Sequence, residues 1–333
     1  MNVLVGISRH LSLTLLAVVS LLALSCGAVV PRPRWPQFLP TTSSGAEAPK
    51  AEEKWFSQPV DHLSPSPSSF RQRFFLNDEH YVPGGPMFFY LGNEADVTLY
   101  VNATGLMWEN APAFGALVIF AEHRYYGSSL PFGEEDLSPE NLRFLSSEQA
   151  ILDYVALIAH LKEEYSFAPE DAVVGFGGSY GGMLASWARF KYPEVWDGAI
   201  AASAPIVSFE GMEDGAVDPN FYAEGVTYDV TAKGKSAPNC EVNLRKAFEK
   251  TALVDLPSDQ ITRGLRLCKD QNSDQDGGSI GWAATQWLSE ALSYMAMGNY
   301  PYPSKYILNG DGTLPAFPVR EGEQQASERS EAA

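Results

Sequence analysis

Gly177-Gly178-Ser179-Tyr180-Gly181 has the residue types and spacing to present a nucleophile. The pattern is G-x-S-x-G, the sharp strand-to-helix turn that lifts a serine hydroxyl clear of the sheet in α/β-hydrolases. The chemistry would be acyl transfer, with Ser179 attacking a carbonyl carbon. Such a hydroxyl is a poor nucleophile until a base takes its proton. The oxyanion formed on attack needs hydrogen-bond donors. The amide of Tyr180 is one expected donor. The second is expected from the loop Gly92-Asn93-Glu94-Ala95-Asp96, through Gly92 or Asn93. In this fold the acid and the histidine follow the serine along the chain. The five histidines, His10, His62, His80, His123 and His160, all precede Ser179.

A turn of this kind works only between a strand and a helix, and the flanking residues predict both. Ala172 to Phe176 is an apolar run that reads as a strand; Met183 to Phe190 reads as a helix closed by Pro193. Met87 to Leu91, Ala116 to Ala121 and Gly198 to Pro205 are further apolar runs, expected as strands. Phe70 to Leu76 alternates polar and apolar residues, like a half-exposed strand. Ser146 to Gln149 spells a capping box ahead of an apolar stripe through Ile151, Val155 and Ile158, which predicts a helix. Buried strands separated by helix-length segments predict an α/β fold, a mostly parallel sheet covered on both faces. Beyond about Phe209 the texture becomes helical, with patterns over Val242 to Thr251 and Trp282 to Met297, as expected for a cap.

The bulk properties narrow the classes. The 333 residues, 45% of them apolar, suffice for one large domain or two smaller ones. A net charge of −18 argues against a nucleic-acid partner. Leu11 to Leu24 is too short for a comfortable membrane span and suits a signal-peptide core, with cleavage near Gly27 or Ala28 and a lipoprotein-type Cys26 as the alternative. That address is secretory. Cys240 and Cys268 then remain, to pair in an oxidising compartment or to stay as thiols. Asn102-Ala103-Thr104 is a glycosylation sequon. Asp270 to Gly277 imitates a calcium loop, but its closing position is Ala283, so no metal is expected there. Nothing else in the pattern calls for a metal or a cofactor.

Glu122-His123-Arg124-Tyr125-Tyr126-Gly127, with Gly92-Asn93-Glu94, Ser147 to Ala150, Gly177 to Gly182 and Ala201 to Pro205, resembles the hallmarks of the Pro-X carboxypeptidase and dipeptidyl peptidase II family of serine peptidases. These strings run in family order from Trp55 to about Val319. The resemblance implies an α/β-hydrolase fold with an inserted helical cap, and a serine exopeptidase that cuts after proline in lysosomal, vacuolar or extracellular settings. It implies Ser179 as nucleophile, and Glu94 and Asp96 as the acids that hold a substrate's free amine. It implies His123, Arg124, Tyr126, Gly177 and Gly181 as scaffold of the site, a peptide with proline near a terminus as partner, and a homodimer. Ala95 stands where the family loop has glycine.

The layout expected is a signal peptide over 1–28, a linker over 29–50, the first part of the hydrolase domain over 51–208, a helical cap over 209–319 and a disordered tail over 320–333. The family carries its catalytic aspartate and histidine in a further C-terminal segment, so this chain reads as truncated within the cap. Three readings stay open: an incomplete record of a proline-selective exopeptidase, an inactive product that at most binds peptides or a partner, and a lipase or esterase on the same fold. The Glu122 to Gly133 string argues against the last.

Overall fold

The computed structural model describes residues 50–64, 67–207, 220–248, 256–265, 280–307 and 312–322, with Phe209 and Asp218 singly. The expected signal peptide, most of the linker, Cys26, Cys268, the calcium-like run and residues 323–333 lie outside them. The described residues fall into two compact units, divided between Ile206 and Val207.

The first unit is built on a six-stranded sheet. In chain order the elements are β1 (Glu52–Pro59), β2 (Ser69–Asn77), β3 (Met87–Leu91), α1 (Thr98–Ala103), α2 (Gly105–Phe114), β4 (Leu117–Ala121), α3 (Pro139–Leu142), α4 (Ser147–Glu164), β5 (Val173–Gly178), α5 (Tyr180–Lys191) and β6 (Gly198–Ala202). The strand order is β1-β2-β4-β3-β5-β6. Strands β4, β3, β5 and β6 run parallel to one another, while β1 and β2 form an antiparallel margin that joins the sheet through β4. This mostly parallel sheet, with a nucleophile turn leaving β5 for α5, is an α/β-hydrolase fold.

The burial pattern explains why the runs are apolar. Every residue of β3 and β4 is buried, as expected for central parallel strands covered on both faces. Phe89, Leu117, Ile119, Tyr154, Leu157, Leu184 and Trp196 share one core. The cap of α4 is half of the expected box. Ser146 Oγ accepts from the Gln149 amide at 3.3 Å. The Gln149 side chain does not return to Ser146; it donates to Asp61 Oδ1 at 2.6 Å and accepts from the His62 amide at 2.9 Å. The sheet margin claims it.

Strand β2 departs from simple alternation, because Gln72 and Arg73 are buried beside Phe74. Arg73 donates to Glu122 through Nε at 3.3 Å and through its terminal nitrogen at 2.5 Å, and it pairs with Asp96 at 2.7 Å. Glu122 also accepts from the Val97 amide at 3.1 Å, the Ser128 amide at 2.9 Å and the Ser129 hydroxyl at 2.8 Å. Burial pushes the pKa of this carboxyl up, and Arg73 and the Ser129 hydroxyl, two of the groups that supply its five hydrogen bonds, work against that. Alternation failed as a guide here because a buried charge is tolerable only when paired and hydrogen-bonded.

The described residues of the second unit carry the helices α6 (Phe221–Asp229), α7 (Cys240–Ala247), α8 (Ser258–Leu265) and α9 (Ile280–Met297), with an isolated antiparallel bridge between Ser304 and Leu314. Cys240 is buried with Val230 and Val319 against Leu244, Leu292 and Met295. Helical structure continues over 318–322, past the expected boundary at Val319, with the Glu321 amide donating to the Phe317 carbonyl at 3.1 Å.

Removing the charge at the centre of the β2–β4 network tests its importance. Glu122→Gln takes from buried Arg73 one of its two close carboxylate partners, leaving Asp96, and turns an amide group toward donors, and should cost about 3–5 kcal/mol. Gly127 has φ +56, and a Cβ there would overlap the Glu122 carboxylate. Gly127→Ala should therefore cost at least about 2 kcal/mol. Urea unfolding midpoints of the two variants measure both effects.

Candidate active site

Ser179 stands between β5 and α5 at φ 54 and ψ −123, a region that L-residues rarely occupy. The strain is held from three sides. Its amide donates to the Ala202 carbonyl on β6 at 3.0 Å, and its carbonyl accepts from Met183 at 3.0 Å. A Cβ on Gly177 would overlap the Gly181 backbone, and one on Gly181 would sit 2.7 Å from the Leu91 carbonyl. The two outer glycines are thus steric requirements of the turn. Gly178 is not, because a Cβ there meets only the Tyr90 hydroxyl at 3.9 Å. Ser179 is solvent-exposed, as a nucleophile must be.

The expected oxyanion donors separate into two kinds. The Gly92 amide is engaged, donating to the Ala121 carbonyl at 3.0 Å, and the Gly92 carbonyl accepts from Tyr154 at 2.8 Å. Gly92 therefore sets the shape of the loop, since a Cβ would also collide with the Ala121 carbonyl. The amides of Asn93 and Tyr180 donate to no atom among the described residues. Asn93 is itself buried beside Gly181, and its Oδ1 has no hydrogen-bond partner among the described residues.

The two loop acids also part. Asp96 is buried, with Oδ2 paired to Arg73 at 2.7 Å and Oδ1 accepting from the Thr98 amide at 2.9 Å and hydroxyl at 2.7 Å. Its oxygens serve the loop and the start of α1. Glu94 is exposed. Its charge adds to burial in raising the phenols of Tyr126, to about 12, and of Tyr180. Glu94, Tyr126 and Tyr180 therefore lie in one electrostatic neighbourhood next to Ser179.

Arg124 is fully buried and structural. It donates to both oxygens of Asp153 at 2.7 Å, and to the carbonyls of Val60 at 2.8 Å, Phe144 at 3.2 Å and Pro59 at 3.4 Å. Asp153 also bonds His62 Nε2 at 2.7 Å. Sequence reasoning missed Arg73, His62 and Asp153 in these networks. The available signal was the pair of polar residues interrupting the apolar run of β2. Asn102 is exposed on α1.

His123 adjoins Tyr180, and both of its ring nitrogens are engaged. Its Nδ1 is 2.6 Å from the Arg124 carbonyl and its Nε2 3.1 Å from the Tyr180 hydroxyl. Among the described residues no histidine nitrogen and no carboxylate hydrogen-bonds to the Ser179 hydroxyl. Also among them, no His, Cys, Asp or Glu group could hold a metal, and no helix is long and apolar enough to cross a membrane.

Burial holds the His123 ring well below its ordinary value of 6.5, at about 4, although the Arg124 carbonyl and Asp153 favour the cation. The unfolded chain takes this proton near pH 6.5 and the folded chain only near pH 4. The contribution is therefore full above pH 6.5 and is lost as pH falls toward 4, by up to about 3 kcal/mol. Urea unfolding from pH 7 to pH 4 measures it. His123→Gln should lose stability less steeply than the wild type over that range, and equal slopes would contradict the assignment.

Comparison with known proteins follows this geometry. The profile described as serine carboxypeptidase S28 matches residues 58–315. Lysosomal Pro-X carboxypeptidase of Mus musculus is 39% identical over 286 residues, 84% of this chain and 55% of that protein. The Homo sapiens protein of that name is 38% identical over 290 residues, 85% of this chain and 55% of its own. The chain thus spans about half the length of the curated relatives it matches. Among solved structures, a post-proline cleaving enzyme from Rickettsia typhi superposes over 46% of this chain and 21% of its own, at 19% identity and a TM-score of 0.33.

Proposed function

The chain belongs to the serine carboxypeptidase S28 family, and on that premise we propose that it carries the nucleophile of a serine exopeptidase that cuts short peptides after proline. The observation that supports this most is Ser179 itself, exposed at a strained φ of 54 between a strand and a helix, with the Asn93 and Tyr180 amides unengaged beside it. Attack by Ser179 Oγ on the carbonyl after proline forms the acyl-enzyme and expels the amine of the next residue. Water then releases the acid. The Tyr180 and Asn93 amides receive the oxyanion in both steps.

The proton of Ser179 needs a base, and the histidines of the described residues make no bond to it. A second reading follows from the same observation. By itself the 333-residue chain holds an unactivated serine and acts at most as a peptide- or partner-binding protein, retaining only the fraction of catalysis that donors and binding supply.

Glu94 is the acid placed to meet a substrate, since Asp96 is engaged with Arg73 and Thr98. A carboxylate near an α-ammonium favours a dipeptidyl mode of cutting. The apolar core of residues 11–24 and the lysosomal names of the relatives support a secretory route that ends in a lysosome, a vacuole or outside the cell.

Mass spectrometry of peptides cut by the protein from a secretory host, at acid pH, tests the reading. Products should end at proline, and Ser179→Ala should make none. Products cut elsewhere would overturn it. Glu94→Gln should raise KM about tenfold for peptides with a free amine and leave N-acetylated ones unchanged. Equal effects on both would remove Glu94 from amine recognition. If the 333-residue chain cuts nothing but binds the peptides, the second reading holds for it.

A further inference from the structure

His123 is buried completely, inside a serine hydrolase site, and takes no part in the chemistry described above. Its surroundings fix which nitrogen carries the proton. The Arg124 carbonyl, 2.6 Å from Nδ1, can only accept, so Nδ1 bears the hydrogen. A neutral ring then has a bare Nε2, and the Tyr180 hydroxyl at 3.1 Å must donate to it. Burial keeps the ring neutral down to about pH 4. The charged groups that act on it are Asp153 and Arg124, which are paired with each other. Tyr126 packs edge-on at 5.3 Å and closes the remaining side of the ring.

Each link of this chain is anchored by the one before it. Asp153 and three backbone carbonyls hold the Arg124 guanidinium. The Arg124 carbonyl holds His123, His123 holds the Tyr180 phenol, and Tyr180 is joined by its peptide bond to Ser179. We propose that His123 is a positioning residue for the nucleophile turn: a neutral Nδ1–H tautomer whose bare Nε2 seats Tyr180 and so aims the amide that follows Ser179. This rests on Ser179 being the nucleophile. It also explains why a histidine so close to the serine is not its base, since Tyr180 occupies the one lone pair the ring has left.

Two measurements on the full chain test this. Nitrogen-15 NMR of the histidine side chains should show one ring with protonated Nδ1 and bare Nε2, unchanged between pH 7 and pH 5. A protonated Nε2 on His123 would overturn the proposal, whatever the activity. The second measurement is the rate at which a fluorophosphonate modifies Ser179. His123→Asn keeps a donor for the Arg124 carbonyl but loses the acceptor for Tyr180, and should slow modification about tenfold or more, as should Tyr180→Phe. His123→Gln, which restores an acceptor near the Nε2 position, should recover most of the rate. His123→Asn added to Tyr180→Phe should slow it no further. Additive losses, or a wild-type rate in His123→Asn, would show that His123 only packs. No modification of Ser179 in the wild type would instead remove the nucleophile reading, and with it the proposal that rests on it.

Discussion

A single buried carboxylate at the end of β4 organises the catalytic face of this fold. Glu122 receives Arg73 from β2, the Val97 amide from the loop after β3, and Ser128 and Ser129 from the turn after its own strand. Three separate segments are thereby tied to one point beneath the site. A carboxyl so far from water is tolerated only if its acceptor positions are filled, so the segments that fill them cannot drift independently. The Glu122 to Gly127 string then reads as one device. Glu122 is the anchor, Gly127 leaves the space it needs, and His123 and Arg124 point to opposite networks.

The two networks have different tasks. Arg124 and Asp153 clamp the antiparallel margin to α4, with His62 and Gln149 closing the corner. His123 faces the other way, to Tyr180 and the nucleophile turn. Because both leave adjacent positions of one strand end, the margin and the turn share an anchor, joined through the His123 ring to the Arg124 carbonyl and the Tyr180 hydroxyl. Rigid support of this sort matters to a serine held at a strained φ, since the unfavourable geometry persists only where its neighbours over-determine it.

Much of the fold was legible because its signals are local. The runs of β3, β4 and β5, the Ser146 cap and the apolar stripe of α4 each follow from period, capping or burial within a few residues. The nucleophile turn was legible for the same reason. What sequence did not reveal is long-range pairing of polar groups. Arg73 lies 49 positions from Glu122, and Gln149 is drawn away from its capping role by Asp61, 88 positions earlier. The antiparallel margin was hidden because β1 carries a mixed, half-exposed pattern that matches no template. Of the site, Ser179 and its glycines could be read from spacing. The division of labour between Glu94 and Asp96, and the engagement of the Gly92 amide, depend on contacts between loops.

The central claim is that Ser179 is the nucleophile of this S28 peptidase. Peptide mapping by mass spectrometry after exposure to a fluorophosphonate tests it most directly. The adduct is predicted on the peptide that contains Ser179 and on no other serine, and it should disappear on denaturation before labelling, since the reactivity belongs to the folded turn. An adduct on another residue, or none at Ser179 in the native protein, would contradict the claim.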